Sequence, residues 1–197
     1  KQSIYDVIIG KAKLSEVVQK TDLEFMEIAP SSAQLVGAEI ELVSLFSRER
    51  MLKEALEDVE GKYKYVIIDS PPSLGLLTIN VLTAAHTIVI PIQCEYYALE
   101  GLSQMIQVIS KIMQQRPGKL EFGGIVLTMY DAKLELTQEV DAEVREFFGD
   151  IVFDTVIPRD VHVTEAPSHC TSVIQYAPRS RGARAYIELC MEVMNCA

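Results

Sequence analysis

The sequence of 197 residues lacks the patterns that mark several classes of protein. No stretch approaches the roughly 18 consecutive apolar residues that a membrane-spanning helix needs. Residues 1–6 lack the basic and apolar regions of a signal peptide. The four cysteines include no C-x-x-C pair, and the three histidines stand at no ligand spacing relative to them. We therefore expect a cytoplasmic protein with reduced thiols and no metal cluster.

Two further absences bear on nucleotides and DNA. The pattern G-x-x-x-x-G-K-[ST] of a phosphate loop does not occur in the sequence, although backbone N–H groups and a lysine are what cradle phosphates in that motif. The formal net charge is −10, whereas a DNA-binding surface usually shows a basic stripe. Any contact with DNA is therefore expected to be local.

The composition is that of one ordinary globular domain. Hydrophobic residues make up 49% of the chain and charged residues 23%, which leaves ample material for a core. The sequence shows no internal repeat, low-complexity run or linker. We expect a single domain over residues 1–197.

Strand and helix patterns alternate along the chain. Short β-branched segments bounded by Pro, Gly or Asp predict strands at Leu23–Ala29, Lys64–Asp69, Thr87–Gln93, Phe122–Thr128 and Ile151–Ile157. Apolar residues at three- and four-residue spacing predict helices over Leu99–Gln115, Leu136–Phe148 and Arg181–Asn195. The expected inward residues are Leu99, Leu102, Ile106, Ile109 and Met113 in the first helix, Val140, Val144 and Phe147 in the second, and Ala185, Leu189 and Val193 in the third. This alternation predicts an α/β fold with a mainly parallel sheet and helices on both faces.

The segment Tyr65-Val-Ile-Ile-Asp-Ser-Pro-Pro-Ser73 carries the strongest functional signal. A continuous apolar run is typical of a buried parallel strand. Ligands of open α/β sheets bind beyond the carboxyl ends of the strands, where Asp69 would stand. The segment therefore indicates a phosphate site with a metal-organising carboxylate. The alternative is that Asp69 only caps the helix that follows.

Longer segments carry a resemblance that extends from Tyr5 to Cys190. They are Gly37–Val43, Asp69–Asn80, Pro91–Ser103, Leu127–Ala132, Ile157–Asp160, Glu165–His169 and Ser180–Ala183. With these segments the sequence resembles the ParA/Soj chromosome- and plasmid-partitioning ATPases, in the deviant-Walker branch of P-loop proteins that also holds MinD. The resemblance implies a twisted, P-loop NTPase-like sheet. In that family a phosphate loop and a catalytic Asp precede the matching text, so we expect an N-terminally truncated portion that does not hydrolyse ATP alone. Without the first strand its neighbours would have open edges, so pairing with another chain or marginal stability is expected.

The resemblance also implies roles for residues of a nucleotide site that binds ATP and Mg²⁺. Asp69 would be the catalytic carboxylate that holds the Mg²⁺ shell through water, followed by a γ-phosphate-sensing segment that includes Ser70 and Pro71. Adenine would be read by Thr128 and Met129 and by Pro158, Arg159 and Asp160. Ordinary turn chemistry is the alternative for these loops, because Pro and Asp favour turns for conformational reasons.

Dimer and DNA contacts follow from the same resemblance. Tyr96, Tyr97 and Glu100 match a loop that packs near the partner subunit of a homodimer, although the tyrosines could equally cover the core. Lys133 and His162 match DNA-contacting positions, with a solvated surface as the alternative for Lys133. His162 follows Pro158-Arg159-Asp160 and departs from the family's Arg, and a histidine is mostly neutral near pH 7. Basic replacements are available at Arg159, Arg179, Arg181 and Arg184.

The leading hypothesis is a partitioning ATPase in the nucleoid-associated cytoplasm. Its nucleotide state would switch dimerisation and non-specific DNA binding, so that cargo carrying a ParB-like partner is positioned. A MinD-like membrane-cycling regulator would need a basic amphipathic helix, and Leu189–Ala197 contains no Lys or Arg. A nitrogenase-type iron–sulfur reductase would need a cluster cysteine after the switch Asp, and Cys94 stands in a different motif. A regulatory binding protein without turnover is the remaining alternative.

Overall fold

The structure is a computed structural model that describes residues 2–71, 73, 75–96, 98–115 and 120–196, without the side chains of 98–100, 104, 115 and 196. It divides into two compact units, Lys1–His86 and Thr87–Ala197. The expectation of one domain over residues 1–197 stays a prediction. Within the described ranges, no helix combines the length and apolar character required to cross a bilayer.

The first unit is mainly helical. Its helices are α1 (Ile4–Ile8), α2 (Leu14–Val17), α3 (Leu35–Leu42), α4 (Met51–Glu57) and α5 (Leu76–Ala84), and its strands are β1 (Gln19–Lys20) and β2 (Glu27–Ile28). One core cluster joins Val7, Leu14, Val17 and Val59, and another joins Ile8, Ala38, Leu42 and Leu52. Leu76, Leu77 and Val81 of α5 pack on the second cluster. Helix α5 is therefore held by the core of this unit.

The strand predicted at Leu23–Ala29 is shorter than expected. Only Glu27–Ile28 is a strand, and it pairs antiparallel with Gln19–Lys20. Thr21 explains the difference, because its hydroxyl donates to the carbonyl of Met26 at 2.8 Å and accepts from the N–H of Leu23 at 3.1 Å. Such local bonds favour a turn over a continuous strand.

The prediction of a strand at Lys64–Asp69 is wrong. Residues 65–70 have no assigned strand, and no strand of the described ranges pairs with them. Tyr65 and Val66 are each 53% exposed and Ile67 is 95% exposed. An apolar, β-branched segment becomes a strand only where a neighbouring strand accepts its backbone hydrogen bonds. Ile68 still packs on the cluster around Leu42.

The second unit contains the parallel strand pair. Strand β3 (Thr87–Gln93) pairs in parallel with β4 (Glu121–Thr128), as the sequence predicts, with an irregularity between Ile88 and Val89. Its helices are α6 (Ala98–Gln115), α7 (Glu135–Phe148), α8 (Val161–Glu165), α9 (Val173–Tyr176) and α10 (Arg181–Cys196), and two 3-10 helices span Gly149–Ile151 and Ala166–His169. Helix α6 contacts β3, and α10 contacts β4. The predicted α/β class is confirmed.

The strand predicted at Ile151–Ile157 is replaced by an extended segment with isolated bonds to β4. The N–H of Phe153 donates to Ile125 at 2.9 Å, and the N–H of Ile157 donates to Leu127 at 2.8 Å. Between these two bonds, backbone groups of the segment are hydrogen-bonded to side chains instead of to β4. Arg145 donates to the carbonyl of Phe153 at 3.1 Å, and Glu192 accepts the N–H of Thr155 at 3.1 Å. A continuous ladder therefore does not form.

Close packing holds this segment against β4. The ring of Phe153 lies over Gly124, where an added Cβ would stand 2.5 Å from ring carbons. Val126, Phe153, Ile157 and Ala185 form a core cluster, and Leu189 and Val193 pack on it. The predicted inward face of α10 is thereby confirmed.

Among the side chains that the structure describes, the other helix faces agree with the sequence except at one ring, and the side chain of Leu99 lies outside that set. Leu102 and Ile109 of α6 are buried, as are Val140 and Val144 of α7. Phe147 was expected to face inward but is 80% exposed, and its ring contacts that of Phe148 edge to face. Periodicity identifies the face of a helix but not how far the core extends along it. The last turn of α7, before Gly149, leaves this ring in solvent.

Candidate functional site

Asp69 lies in the first unit, at the end of the extended segment. Its side chain is exposed, and within the described part of the chain no hydrogen bond or ion pair engages its carboxylate. The helix that follows begins at Leu76, with Gly75 at its N-cap position. Asp69 therefore does not cap α5, which excludes the alternative interpretation of this carboxylate.

The described residues between Asp69 and Gly75 are Ser70, Pro71 and Ser73, here named the switch loop, and they are fastened to helix α5. The hydroxyl of Thr78 donates to the carbonyl of Ser73 and lies 3.4 Å from that of Pro71. The hydroxyl of Ser70 lies 3.3 Å from the same Pro71 carbonyl. Ser70 and Pro71, both predicted to bind nucleotide, are thus placed on a loop whose exit is fixed by a helix side chain.

Helix α5 is in turn fixed to the rest of its unit. Asn80 is fully buried, and its amide nitrogen donates to the carbonyls of Arg48 at 2.7 Å and Leu76 at 2.9 Å. Its amide oxygen accepts the N–H of Leu52 at 3.1 Å. At the N-terminus of α5 the Glu39 carboxylate lies so close to Gly75 that an added Cβ would stand 1.9 Å from Oε1.

In the second unit, three segments meet at the carboxyl ends of β3 and β4. The N–H of Cys94 donates to the carbonyl of Thr128 at 3.1 Å, and the Thr128 hydroxyl donates to the carbonyl of Ile92 at 3.0 Å. The N–H of Tyr130 donates to Ile157, and its carbonyl accepts the N–H of Arg159 at 2.9 Å. The structure therefore brings together Thr128, Met129, Pro158 and Arg159, which the sequence assigns to adenine.

Met129 has an unusual backbone conformation in this group. Its φ is 55°, in the left-handed region, and its side chain is 39% exposed. A non-glycine residue held there is strained, and such strain clusters at binding sites.

Asp160 is placed differently from its neighbours. One carboxylate oxygen accepts the N–H of His162 at 2.9 Å, and the other accepts the N–H of Gly182 at 2.8 Å. The bond from Gly182 is the largest of the effects that lower the pKa of Asp160 to about 2. The side chain is 7% exposed. Asp160 therefore caps α8 and holds the N-terminus of α10, and an adenine contact would have to compete with these bonds.

The loop assigned to the dimer interface lies after β3. Tyr96 is 71% exposed, and Glu95 forms an ion pair of 3.8 Å with Arg159. The adjacent thiol of Cys94 is buried, which raises its pKa to about 11 and keeps it neutral. Tyr97 and the side chain of Glu100 lie outside the described residues.

The two residues predicted to contact DNA are both exposed. Lys133 follows β4, and its N–H donates to the side chain of Asp131 at 3.1 Å. The ring nitrogen Nδ1 of His162 lies 2.8 Å from the Asp160 carboxylate. His162 also lines an open depression of about 400 Å³ with Ala177, Pro178, Arg179 and Ser180. Arg179 is therefore the candidate replacement that the structure places beside His162.

Sequence reasoning missed Glu39, Thr78 and Asn80. The segment Leu76-Leu-Thr-Ile-Asn80 belongs to the family-like text, but none of its residues was assigned a role. The available signal was two polar residues in an otherwise apolar segment, since buried polar groups are normally hydrogen-bonded.

Comparisons with known proteins identify the family of this chain. A family model described as an AAA domain matches residues 1–122. The sporulation initiation inhibitor protein Soj of Bacillus subtilis is 50% identical over 192 residues, covering 98% of this chain and 76% of that protein. The chromosome partitioning protein ParA of Caulobacter vibrioides is 43% identical over 195 residues, covering 98% and 73%.

A solved structure adds a ligand-bound relative. Cobyrinic acid a,c-diamide synthase from Mycobacterium smegmatis, with bound ATP analog and magnesium, is 35% identical with a TM-score of 0.79. The match covers 95% of this chain and 69% of that one. The matched family model, the extent of the match to Soj and ParA, and the P-loop-type fold together show the relationship. This chain belongs to the Soj/ParA family of chromosome-partitioning ATPases.

Proposed function

We propose that the protein carrying this chain is a Mg²⁺-dependent partitioning ATPase whose nucleotide state switches dimerisation and non-specific DNA binding. Cargo with a ParB-like partner would be positioned by this cycle, in the nucleoid-associated cytoplasm. The observation that carries the proposal is the exposed Asp69 carboxylate at the start of the switch loop. Capping does not account for it, because the N-cap position of α5 is Gly75.

The Asp69 carboxylate suits a magnesium ion. Mg²⁺ prefers oxygen ligands, keeps several waters, and is usually held by one or two carboxylates together with phosphate oxygens. Asp69 would hold the water shell of such an ion. When bound, Mg²⁺ neutralises negative charge that develops on the phosphates. The chain's own contribution is to hold Asp69, Ser70 and Pro71 on a loop anchored to α5.

Adenine would be read in the second unit by the loop groups that meet beyond β3 and β4. Backbone hydrogen bonds of Tyr130 with Ile157 and Arg159 join the two loops that carry Thr128, Met129, Pro158 and Arg159. The left-handed Met129 supports this role, since it holds an exposed apolar side chain in a strained position. Asp160 would support this site by capping α8, where its side chain accepts the N–H of His162, rather than by presenting a free carboxylate oxygen to adenine.

Dimerisation and DNA binding would use residues of the second unit. Tyr96, with Tyr97 and Glu100, would contact the partner subunit, and aromatic residues with a polar tip are enriched in interfaces. Lys133 and His162 would contact DNA phosphates, and Arg179 would add a permanent charge beside His162. The net charge of −10 confines such contacts to a local surface.

The test is ATP turnover by the full-length protein and its Asp69→Ala variant. We expect the variant to lose hydrolysis and ATP-dependent dimerisation while keeping its thermal stability, because the carboxylate has no structural partner in the described residues. Asp22→Ala is the matched control, since Asp22 is an exposed carboxylate in a turn of the same unit. The 197-residue chain by itself should show no turnover, because it contains no phosphate loop.

Two results would contradict the proposal. One is an Asp69→Ala variant that unfolds yet retains Mg²⁺-dependent activity, which would make the carboxylate structural. The other is turnover by the isolated chain at the rate of the full-length protein. An equal loss of activity in Asp22→Ala would show that the assay reports general charge effects rather than the site.

A further inference from the structure

We propose that Thr78 is the positioning residue of the switch loop, through which helix α5 sets the place of Asp69 and Ser70. This inference rests on the proposed function, because positioning Asp69 and Ser70 matters only if they act on nucleotide. The restraint of the loop by Thr78 can be tested without nucleotide. The Thr78 hydroxyl donates to the carbonyl of Ser73 and lies 3.4 Å from that of Pro71. A hydroxyl has one proton, so it can bond one of these carbonyls at a time.

The switch loop has little backbone bonding of its own. Pro71 and Pro72 have no N–H group, so neither can donate to a neighbouring strand. Among the described residues, the side-chain bonds that reach the loop carbonyls come from Ser70, which belongs to the loop, and from Thr78, which does not. Thr78 is therefore the point at which the rest of this unit restrains the loop.

Helix α5 provides a rigid base for this restraint. Asn80, two residues further on, bonds the backbone of Arg48 and Leu52 and is fully buried. Leu76, Leu77 and Val81 of the same helix pack on the core. A functional group held from a packed helix is placed more accurately than one held from a loop. Thr78 thus connects a fixed element to the loop that carries the proposed nucleotide contacts.

Glu39 of α3 helps to hold helix α5 in place. Its Oε1 lies 3.4 Å from the N–H of Leu77, at the first turn of α5. A carboxylate near a helix N-terminus is favourable because the free N–H groups and the helix dipole attract negative charge. The exit of the switch loop is therefore fixed on one side by Glu39 and on the other by Thr78.

Backbone ¹⁵N relaxation of the 197-residue chain tests the inference directly, because it reports the mobility of amides that donate no hydrogen bond. Thr78→Val removes the hydroxyl and keeps the shape, whereas Thr78→Ser keeps the hydroxyl. We expect the order parameters of the Ser70, Ser73 and Gly75 amides to fall towards the value of about 0.6 that marks flexible backbone in Thr78→Val, and to stay at the wild-type value in Thr78→Ser. Thr83→Val makes the same change later in α5 and should leave the order parameters of the loop unchanged.

Loop order parameters that are equal in wild type and Thr78→Val would overturn the inference. So would an equal fall in the Val and Ser variants, because the hydroxyl would then not be the cause. A fall throughout α4 and α5, rather than in the loop, would assign Thr78 to general stability and would also contradict the inference.

ATP turnover by the full-length protein supplies a second measurement. We expect Thr78→Val to lower kcat by about five- to tenfold with the KM for ATP and the Tm little changed, and Thr78→Ser to restore kcat. A loss that appears only in KM or only in Tm would contradict a positioning role. If wild-type protein does not hydrolyse ATP, the proposed function fails, while the relaxation result still decides whether Thr78 restrains the loop.

Discussion

Replacing Asp160 by Asn should destabilise the second unit in a manner that depends on pH. The Asp160 carboxylate joins two helix N-termini, since its oxygens accept the N–H of His162 in α8 and the N–H of Gly182 in α10. An asparagine oxygen can replace only one of these acceptors, and Asn is itself a good N-cap residue. The bond that the variant loses is therefore the one from Gly182.

The size of the effect follows from the pKa of this carboxyl. The hydrogen bond from Gly182, with smaller contributions from His162, lowers the pKa from 3.8 to about 2, against an opposing effect of burial. A carboxyl whose pKa is lower in the folded state stabilises the fold above its unfolded pKa. This shift corresponds to about 2 kcal/mol at neutral pH. The contribution is lost as the pH falls from about 4 through about 2.

Urea unfolding of the chain at pH 7, 5, 4 and 3 measures this contribution. We expect Asp160→Asn to lower the free energy of unfolding by about 2 kcal/mol at pH 7 and 5, with a smaller difference from wild type at pH 3. Asp154→Asn is the matched control, because its side chain is fully exposed and its ion pair with Arg145 is long. The control should change stability by less than about 0.5 kcal/mol at every pH.

Two outcomes would refute this reasoning. Equal stability of wild type and Asp160→Asn at pH 7 would mean that the bond from Gly182 contributes nothing that an amide cannot replace. A difference that stays constant from pH 7 to pH 3 would mean that packing, rather than the charge of the carboxylate, causes the loss.

The other predictions concern DNA binding and helix α5, which holds the switch loop. In the full-length protein with ATP, His162→Arg should raise the affinity for DNA, because it adds a permanent charge at the proposed phosphate contact, and an unchanged log–log salt slope would exclude this site. Lys133→Ala should weaken binding to all DNA sequences alike. Asn80→Ala should lower the free energy of unfolding by about 3 kcal/mol in urea titrations, because the N–H of Leu52 and the carbonyl of Arg48 lose their partner; a loss below about 1 kcal/mol would contradict that role.

The sequence predicted best those elements whose stability is local or whose partner lies nearby. The helices α6, α7 and α10 and the strands β3 and β4 agree with their expected ranges to within a few residues. Each helix has a long apolar period, and the two strands pair with each other. The same reasoning failed at Lys64–Asp69 and Ile151–Ile157, whose residue types also favour strands. Strand formation depends on a partner, and a pattern within one segment contains no information about that partner.

The sequence identified some residues of the candidate site and missed others, for a related reason. The resemblance identified residues expected to touch nucleotide, such as Asp69 and Thr128. It did not identify Thr78 or Asn80, which act through other parts of the chain and whose bonds span up to 32 residues. Their function depends on which carbonyls the fold brings to them, so it becomes visible only once helix α5 is placed.

The pairing of His162 with Asp160 limits how much positive charge this position can offer to DNA. When the imidazole is protonated, its charge lies 2.8 Å from a carboxylate that two backbone N–H groups keep ionised. A phosphate near His162 therefore experiences a cation and an anion together, and the anion offsets part of the attraction. Arg179 lines the same depression and keeps its charge at every accessible pH. A positive charge at position 162, as in His162→Arg, should consequently steepen the salt dependence by less than the slope of about 0.9 that a full phosphate contact adds, while Arg179→Ala should remove a whole contact.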